Sequence, residues 1–276
     1  MLNKSKSKIT AILKRKVVFS IKVLNKLMFK YEKCRMDKPF RKFKENTKLF
    51  FGGFSHFIFP NLCLSCSCEL SRSEEHLCHF CFAQLTFTYF ESAHEPSPLD
   101  KVFWGRVPIQ KTYALLYFEQ DKPSQKILHA LKYQNKANLG IFLGHIIGKK
   151  LKENNFFCDI QALIPVPLHP KKEFLRGYNQ SEKIAAGISK ILAIPIVQKS
   201  IKKIKHTESQ TKKDRFQRWE NVAAIFGGTT RAIPFQHVAI VDDVVTTGAT
   251  IEALARELLA NNPELKISII SLAIAK

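Results

Sequence analysis

Two adjacent carboxylates, Asp242 and Asp243, end the apolar run Val238-Ala239-Ile240-Val241 and precede Val244, Thr246, Thr247, Gly248, Ala249 and Thr250. These residue types suit one kind of ligand. Gly248 and Ala249 let the backbone approach a phosphate, and the threonine hydroxyls add donors. Free amides at a helix start point at an anion, which the helix dipole also favours. A carboxylate pair beside that cradle accepts hydrogen bonds from a vicinal diol, directly or near a Mg²⁺ ion. A ribose 5-phosphate carries both groups. The plainer alternative is a buried strand ending in an acidic turn.

A second constellation lies upstream. Cys63-x-x-Cys66 and Cys78-x-x-Cys81 are separated by eleven residues. Each pair fits a turn that aims two thiolates at one tetrahedral Zn²⁺, and two such knuckles make a zinc ribbon. Four protein ligands leave no open position, so the metal is expected to be structural. Cys68, His76 and His79 are spare candidates, and Cys68 could take the place of Cys66 at the cost of the two-residue spacing. Cys34 and Cys158 stand apart. Seven cysteines used in this way fit a reducing compartment better than a disulfide framework.

The elements that must position these groups follow from periodicity. An apolar run such as 238–241 reads as a strand buried on both faces, and Ile251, Leu254, Ala255, Leu258 and Leu259 recur at helical spacing after it. Further strands are expected over 111–118, 159–167 (ending early at proline), 223–226 and 267–275. A helix capped by Ser124 should run to Tyr133. Another, over 139–153, should present Ile141, Leu143, Ile146 and Ile147, and a third, capped by Ser181, Ile184, Ala185 and Ile188. The stretch 169–180 reads as a polar loop. Lys171, Lys172 and Arg176 there either meet the anionic end of the ligand or are solvated loop charges, since α/β sheets bind ligands at the carboxyl ends of strands. Strand and helix alternate through the second half, as in a doubly wound parallel sheet.

The formal charge is +21, and residues 1–50 hold 16 Lys or Arg against 3 Asp or Glu. A basic extension over 1–48 is therefore one expected segment; it suits nucleic acid, an anionic surface or an acidic partner. An aromatic lead-in with the zinc ribbon, 49–92, is the second, and an α/β domain over 109–276 the third. Lysines interrupt every long apolar stretch near the start, so neither a membrane-spanning helix nor a secretory signal is expected. The basic stretch 205–221 reads as a mobile cover over the site, a surface for bases and phosphates, or a solvated loop.

The string 238–250 resembles the signature of the phosphoribosyltransferase superfamily. The order of motifs is more specific: the Cys-x-x-Cys ribbon, Leu131-Lys132-Tyr133, Val166-Pro167-Leu168-His169-Pro170, Arg176-Gly177-Tyr178-Asn179-Gln180, Thr207-x-x-Gln210, Arg218-x-x-Asn221-Val222, then the acid pair and its loop. Over roughly residues 55–276 this is similar to the ComF/GntX family of competence-associated, phosphoribosyltransferase-like proteins. The resemblance implies that Asp242 and Asp243 face the ribose hydroxyls and that residues 246–250 wrap the 5-phosphate of phosphoribosyl pyrophosphate held with Mg²⁺. It also implies a cytoplasmic protein of DNA uptake, acting on incoming single strands beside a helicase-like translocase. The basic extension and Lys213 depart from the family pattern.

Three functions compete. A transferase of nucleotide metabolism or salvage would use Asp242 and Asp243 to fix the sugar and cations such as Arg176 to stabilise departing pyrophosphate. A nucleic-acid-binding accessory protein would keep the sugar-phosphate site as a sensor or strand-end binder. A regulatory protein would pass ligand occupancy to a partner that the sequence does not identify.

Overall fold

A computed structural model describes residues 60–92, 95–197, 202–203, 226–227 and 233–275. The basic extension, the aromatic stretch before Pro60, the basic stretch 205–221 and the family motifs on it lie outside the described residues. The described residues from Asn61 onward form one compact unit.

In chain order the elements are α1 (His79–Ala83), α2 (Pro98–Phe103), β1 (Thr112–Phe118), α3 (Pro123–Tyr133), α4 (Ala137–Glu153), β2 (Ala162–Pro165), α5 (Pro170–Arg176), α6 (Gln180–Leu192), β3 (Lys202–Lys203), β4 (Phe226–Gly227), β5 (His237–Val245), α7 (Ala249–Asn261) and β6 (Lys266–Ala275). Strands β1, β6, β5 and β2 lie side by side in that order, all parallel, flanked by helices. The short β3 and β4 pair antiparallel. The expected α/β class is thus present.

The central strands explain the apolar runs. Ile267, Ile269, Ile270 and Leu272 of β6 and Val238 to Val241 of β5 are fully buried, because both faces of the sheet are covered. At the amino ends of these strands the buried His237 ring meets Asp159 through Nδ1 and Ser268 Oγ through Nε2, each at 2.9 Å. The three residue types look like a hydrolytic triad, but Ser268 is wholly buried, so its hydroxyl joins β5 to β6 and meets no substrate.

Helices α4 and α6 pack through glycines. Gly140, Gly144 and Gly148 recur every fourth residue along α4 and meet α6 at Lys183, at Ile184 with Gly187, and at Ile191 with Ile188. A Cβ on Gly144 would sit 2.2 Å from the carbonyl oxygen of Ile184, so the two backbones are in contact. The buried stripe of α4 is Leu139, Leu143, Ile147 and Leu151 with these glycines. Ile141 and Ile146, expected to face inward, keep partial exposure.

Several expected boundaries are corrected. Strand β5 runs through both aspartates to Val245 and does not stop at Val241. Residues 170–176 are a helix, with Pro170 in the first turn and Gly177 (φ 78°) as its left-handed stop. Asn179, not Ser181, caps α6, its Oδ1 accepting the Ser181 amide at 3.0 Å. Ser124 sits inside the first turn of α3, where its Oγ accepts the Glu119 amide at 3.1 Å.

Candidate functional site

The acid pair lies near the carboxyl end of β5. Neighbouring strand residues project to opposite faces. Asp243 is accordingly buried with Val241 and Val245, while Asp242 and Val244 keep partial exposure. Both carboxylates are nevertheless held by one element. Ser181 Oγ donates to Asp242 Oδ1 at 3.1 Å, and Gln180 Nε2 donates to Asp243 Oδ2 at 3.5 Å, both from the first turn of α6. The Asp243 amide donates back to Asp242 Oδ1 at 2.9 Å. From α3, Lys132 Nζ reaches Asp243 Oδ2 at 3.2 Å.

That turn of α6 is fixed to the β2 exit. Asn179 Nδ2 donates to the Val166 carbonyl at 3.0 Å, and the Tyr178 hydroxyl donates to the Leu131 carbonyl at 2.6 Å. Segments around residues 131, 166, 178 and 242 therefore converge on one point. Burial raises the Asp242 acid, with the neighbouring Asp243 charge adding to it, to about 7; the Asp243 amide, Ser181 and Lys132 pull the other way.

Beyond the acids, Thr246 and Thr247 are exposed and Gly248 is buried with φ 72°. An added Cβ on Gly248 would lie 2.7 Å from Val102 and 2.8 Å from Phe103, so α2 forms the floor of the turn. The first helical bond runs from the Glu252 amide to the Gly248 carbonyl at 2.9 Å, and the amides of Ala249, Thr250 and Ile251 precede it. Arg106 braces the turn: Nη1 donates to the Thr247 carbonyl at 2.6 Å while the guanidinium pairs with Glu252.

Arg176 sits apart from the acids. Its guanidinium lies over the Tyr133 ring, 5.6 Å from the centroid. Both residues line a cleft of about 560 Å³ together with Lys132, Lys172 and Phe174. Tyr133 and Phe174 are largely exposed there. Because Lys132 also pairs with Asp243, cleft and acid pair are contiguous.

The cysteines form the second site. The thiol sulphurs of Cys63, Cys66, Cys68 and Cys78 all lie within 4.8 Å of one another. Cys81 is buried beside them, and its thiol interacts with those of Cys63, Cys66 and Cys78. The donor set suits a thiophilic ion such as zinc. Burial opposes ionisation of Cys63, yet amides donated to its sulphur by Ser65 and Cys78, both at 3.4 Å, help bring the thiol down to about 6. The spare histidines are engaged otherwise: His79 Nδ1 meets Glu74 at 2.7 Å, and His76 stacks edge-on against Phe142.

Sequence reasoning did not assign Lys132, Gln180, Ser181 or Arg106 to the site. The first three stand in or beside the quoted motifs, which was the available signal; Arg106 had none.

The architecture is that of an α/β protein with a four-stranded parallel sheet, preceded by a cysteine cluster able to hold a metal. No protein-family model matches the chain. Among curated proteins it is similar to Competence protein F of Haemophilus influenzae, 28% identical over 202 residues covering 71% of this chain and 77% of that protein. It is also similar to DNA utilization protein YhgH of Salmonella typhimurium, 24% identical across 73% of this chain and 92% of the relative. Competence protein ComFC of Bacillus subtilis is 28% identical over 39% of this chain and 42% of its own length. These similarities support the resemblance to the ComF family. Among the described residues no helix is long and apolar enough to cross a membrane.

Proposed function

We propose that this protein serves the uptake or use of DNA, as the names of its relatives indicate for them, and binds phosphoribosyl pyrophosphate or a related ribose 5-phosphate with Mg²⁺ at the end of β5. The observation that carries the sugar-phosphate reading is the convergence of Lys132, Gln180 and Ser181 on Asp242 and Asp243, next to a turn whose threonines are exposed. Paired carboxylates grip a diol, and the free amides in the first turn of α7 face the phosphate. Lys132 already neutralises part of the acid charge; Asp242 and Asp243 would hold Mg²⁺, which would supply charge for the anionic ligand.

The DNA reading draws on the adjoining cleft. Exposed aromatic rings beside cations suit single strands, because bases stack on rings whatever their sequence while phosphates meet Lys172 and Arg176. A helicase-like translocase in the cytoplasm is the partner this reading implies.

Calorimetry with Mg²⁺ and phosphoribosyl pyrophosphate tests the first part. Wild type should bind, and Asp243→Asn should bind about tenfold or more weakly, the loss of one charge-assisted contact. No heat from folded, metal-loaded wild type would remove the sugar-phosphate reading. Fluorescence anisotropy with a labelled oligothymidylate tests the second. Tyr133→Ala with Phe174→Ala should weaken binding by more than about tenfold, and a base stacked on a ring is worth about 1–3 kcal/mol. Arg176→Ala should flatten the salt dependence by about one phosphate contact. Unchanged affinity in both variants would exclude this cleft. Turnover of phosphoribosyl pyrophosphate with a nucleobase and no oligonucleotide affinity would instead favour a salvage transferase.

A further inference from the structure

Five thiols compete for a centre that needs four: Cys63, Cys66, Cys68 and Cys78 lie within 4.8 Å of one another, and Cys81 lies outside that group, beside Cys63, Cys66 and Cys78. A tetrahedral zinc with bonds of about 2.3 Å holds its sulphurs about 3.8 Å apart. Cys66 and Cys78 are 3.7 Å apart, the separation of two ligands on one ion. Cys66 and Cys68 are 3.2 Å apart, too close for both to bond the same ion together. The five differ in setting as well. Cys63, Cys78 and Cys81 are buried, and Cys66 and Cys68 are exposed.

Two of the buried three are also held by backbone through their sulphurs. Cys63 accepts amides from Ser65 and Cys78, and Cys78 caps α1 with its sulphur 3.5 Å from the Cys81 amide. The exposed pair flanks Ser67, whose φ of 61° bends the chain so that both thiols come to one side. That turn is closed by the Cys63 amide donating to the Cys68 carbonyl at 2.8 Å and the Ser67 amide to the Cys63 carbonyl at 2.9 Å.

We propose that Cys63, Cys78 and Cys81 are fixed ligands of one zinc ion and that Cys66 and Cys68 are alternative occupants of its fourth position. Exchange then needs only the two exposed side chains to turn about a single intervening residue. The centre can shed and regain its outer ligand without releasing the metal. This inference stands on the cysteine cluster as a metal centre and is independent of the sugar-phosphate reading.

Zinc content per chain, measured by plasma mass spectrometry on the full-length protein, tests it. Cys66→Ser and Cys68→Ser should each retain one zinc, with affinity against a competing chelator reduced by less than about tenfold. The double variant should lose the metal or bind it more than about a thousandfold more weakly. Cobalt substitution adds a reading of ligand number: both single variants should keep the charge-transfer intensity of four thiolates. Loss of zinc from Cys66→Ser alone would make Cys66 a dedicated ligand and overturn the proposal. So would loss from Cys68→Ser with retention in Cys81→Ser, which would give the set Cys63, Cys66, Cys68 and Cys78. The single variants decide the matter even where the double variant does not fold.

Discussion

Gly187→Val should lower the stability of the domain by more than about 3 kcal/mol, beyond the usual range for an overpacked core. A Cβ at position 187 would stand 2.2 Å from the Ile141 carbonyl oxygen and 2.8 Å from the Gly144 backbone. Backbone cannot rotate aside as a side chain does, so α4 and α6 must separate along their length. The contacts of Leu143, Ile147, Ile184 and Ile188, all buried, would loosen together. For a unit of this size the melting temperature should fall by about 6–12 °C. Gly187→Ala should show a smaller drop in the same direction. The change should also weaken ligand binding at the acid pair, because the first turn of α6 carries Gln180 and Ser181. An unchanged melting temperature for Gly187→Val would mean that the helices do not cross through these glycines.

Apolar periodicity finds Leu143 and Ile147 of the buried stripe, together with the partly exposed Ile141 and Ile146, but not the glycines of this crossing. Glycine contributes no hydrophobicity; its signal here is the spacing of residues 140, 144 and 148 alone. Helix α5 escaped for a related reason. It buries none of its residues, so no stripe marks it. What did mark it was punctuation: His169 accepting the Lys171 amide, proline in the first turn and Gly177 past the end. The acid pair and its turn, by contrast, were legible because strand, carboxylates, glycine and helix follow one another locally. Even so, the strand end was misplaced by four residues. Val244 and Val245 continue the ladder with Ala273 and Ile274, and charged residues do not end a strand whose neighbour continues.

The partners of the acids are a different matter. Ser181 reads as a helix cap from the sequence, since serine before an apolar stripe commonly is one. Asn179 takes that role, which frees the Ser181 hydroxyl for Asp242. Lys132 meets Asp243 across more than a hundred residues of chain, and no local pattern encodes that meeting. The cysteine pairs were plain from spacing, whereas the nearness of Cys68 to Cys66 depends on the turn at Ser67.

Asp242→Asn should stabilise the free protein at pH 8 and have little effect near pH 4. The Asp242 carboxyl, raised mainly by burial and next by Asp243, titrates near 7 in the folded chain against an ordinary value of 3.8. Between those two values the folded state binds more protons than the unfolded one, so stability falls as pH rises through the interval. Below it both states are protonated, and above it the loss is complete. The shift corresponds to on the order of 2–4 kcal/mol, an upper range because Asp242 keeps partial exposure. Asparagine keeps an oxygen for Ser181 and the Asp243 amide but carries no charge to desolvate. The wild type should therefore melt progressively lower from pH 4 to pH 8, and Asp242→Asn should lose much of that slope. Mg²⁺ with phosphoribosyl pyrophosphate should reverse the order at pH 8, since the ligand needs the ionised form and recovers part of the cost of making it. Binding should weaken below pH 7 as Asp242 takes up its proton. Parallel melting curves for the two proteins across this range would show that the Asp242 carboxylate is ionised without strain, and would remove the link between its burial and the proposed ligand.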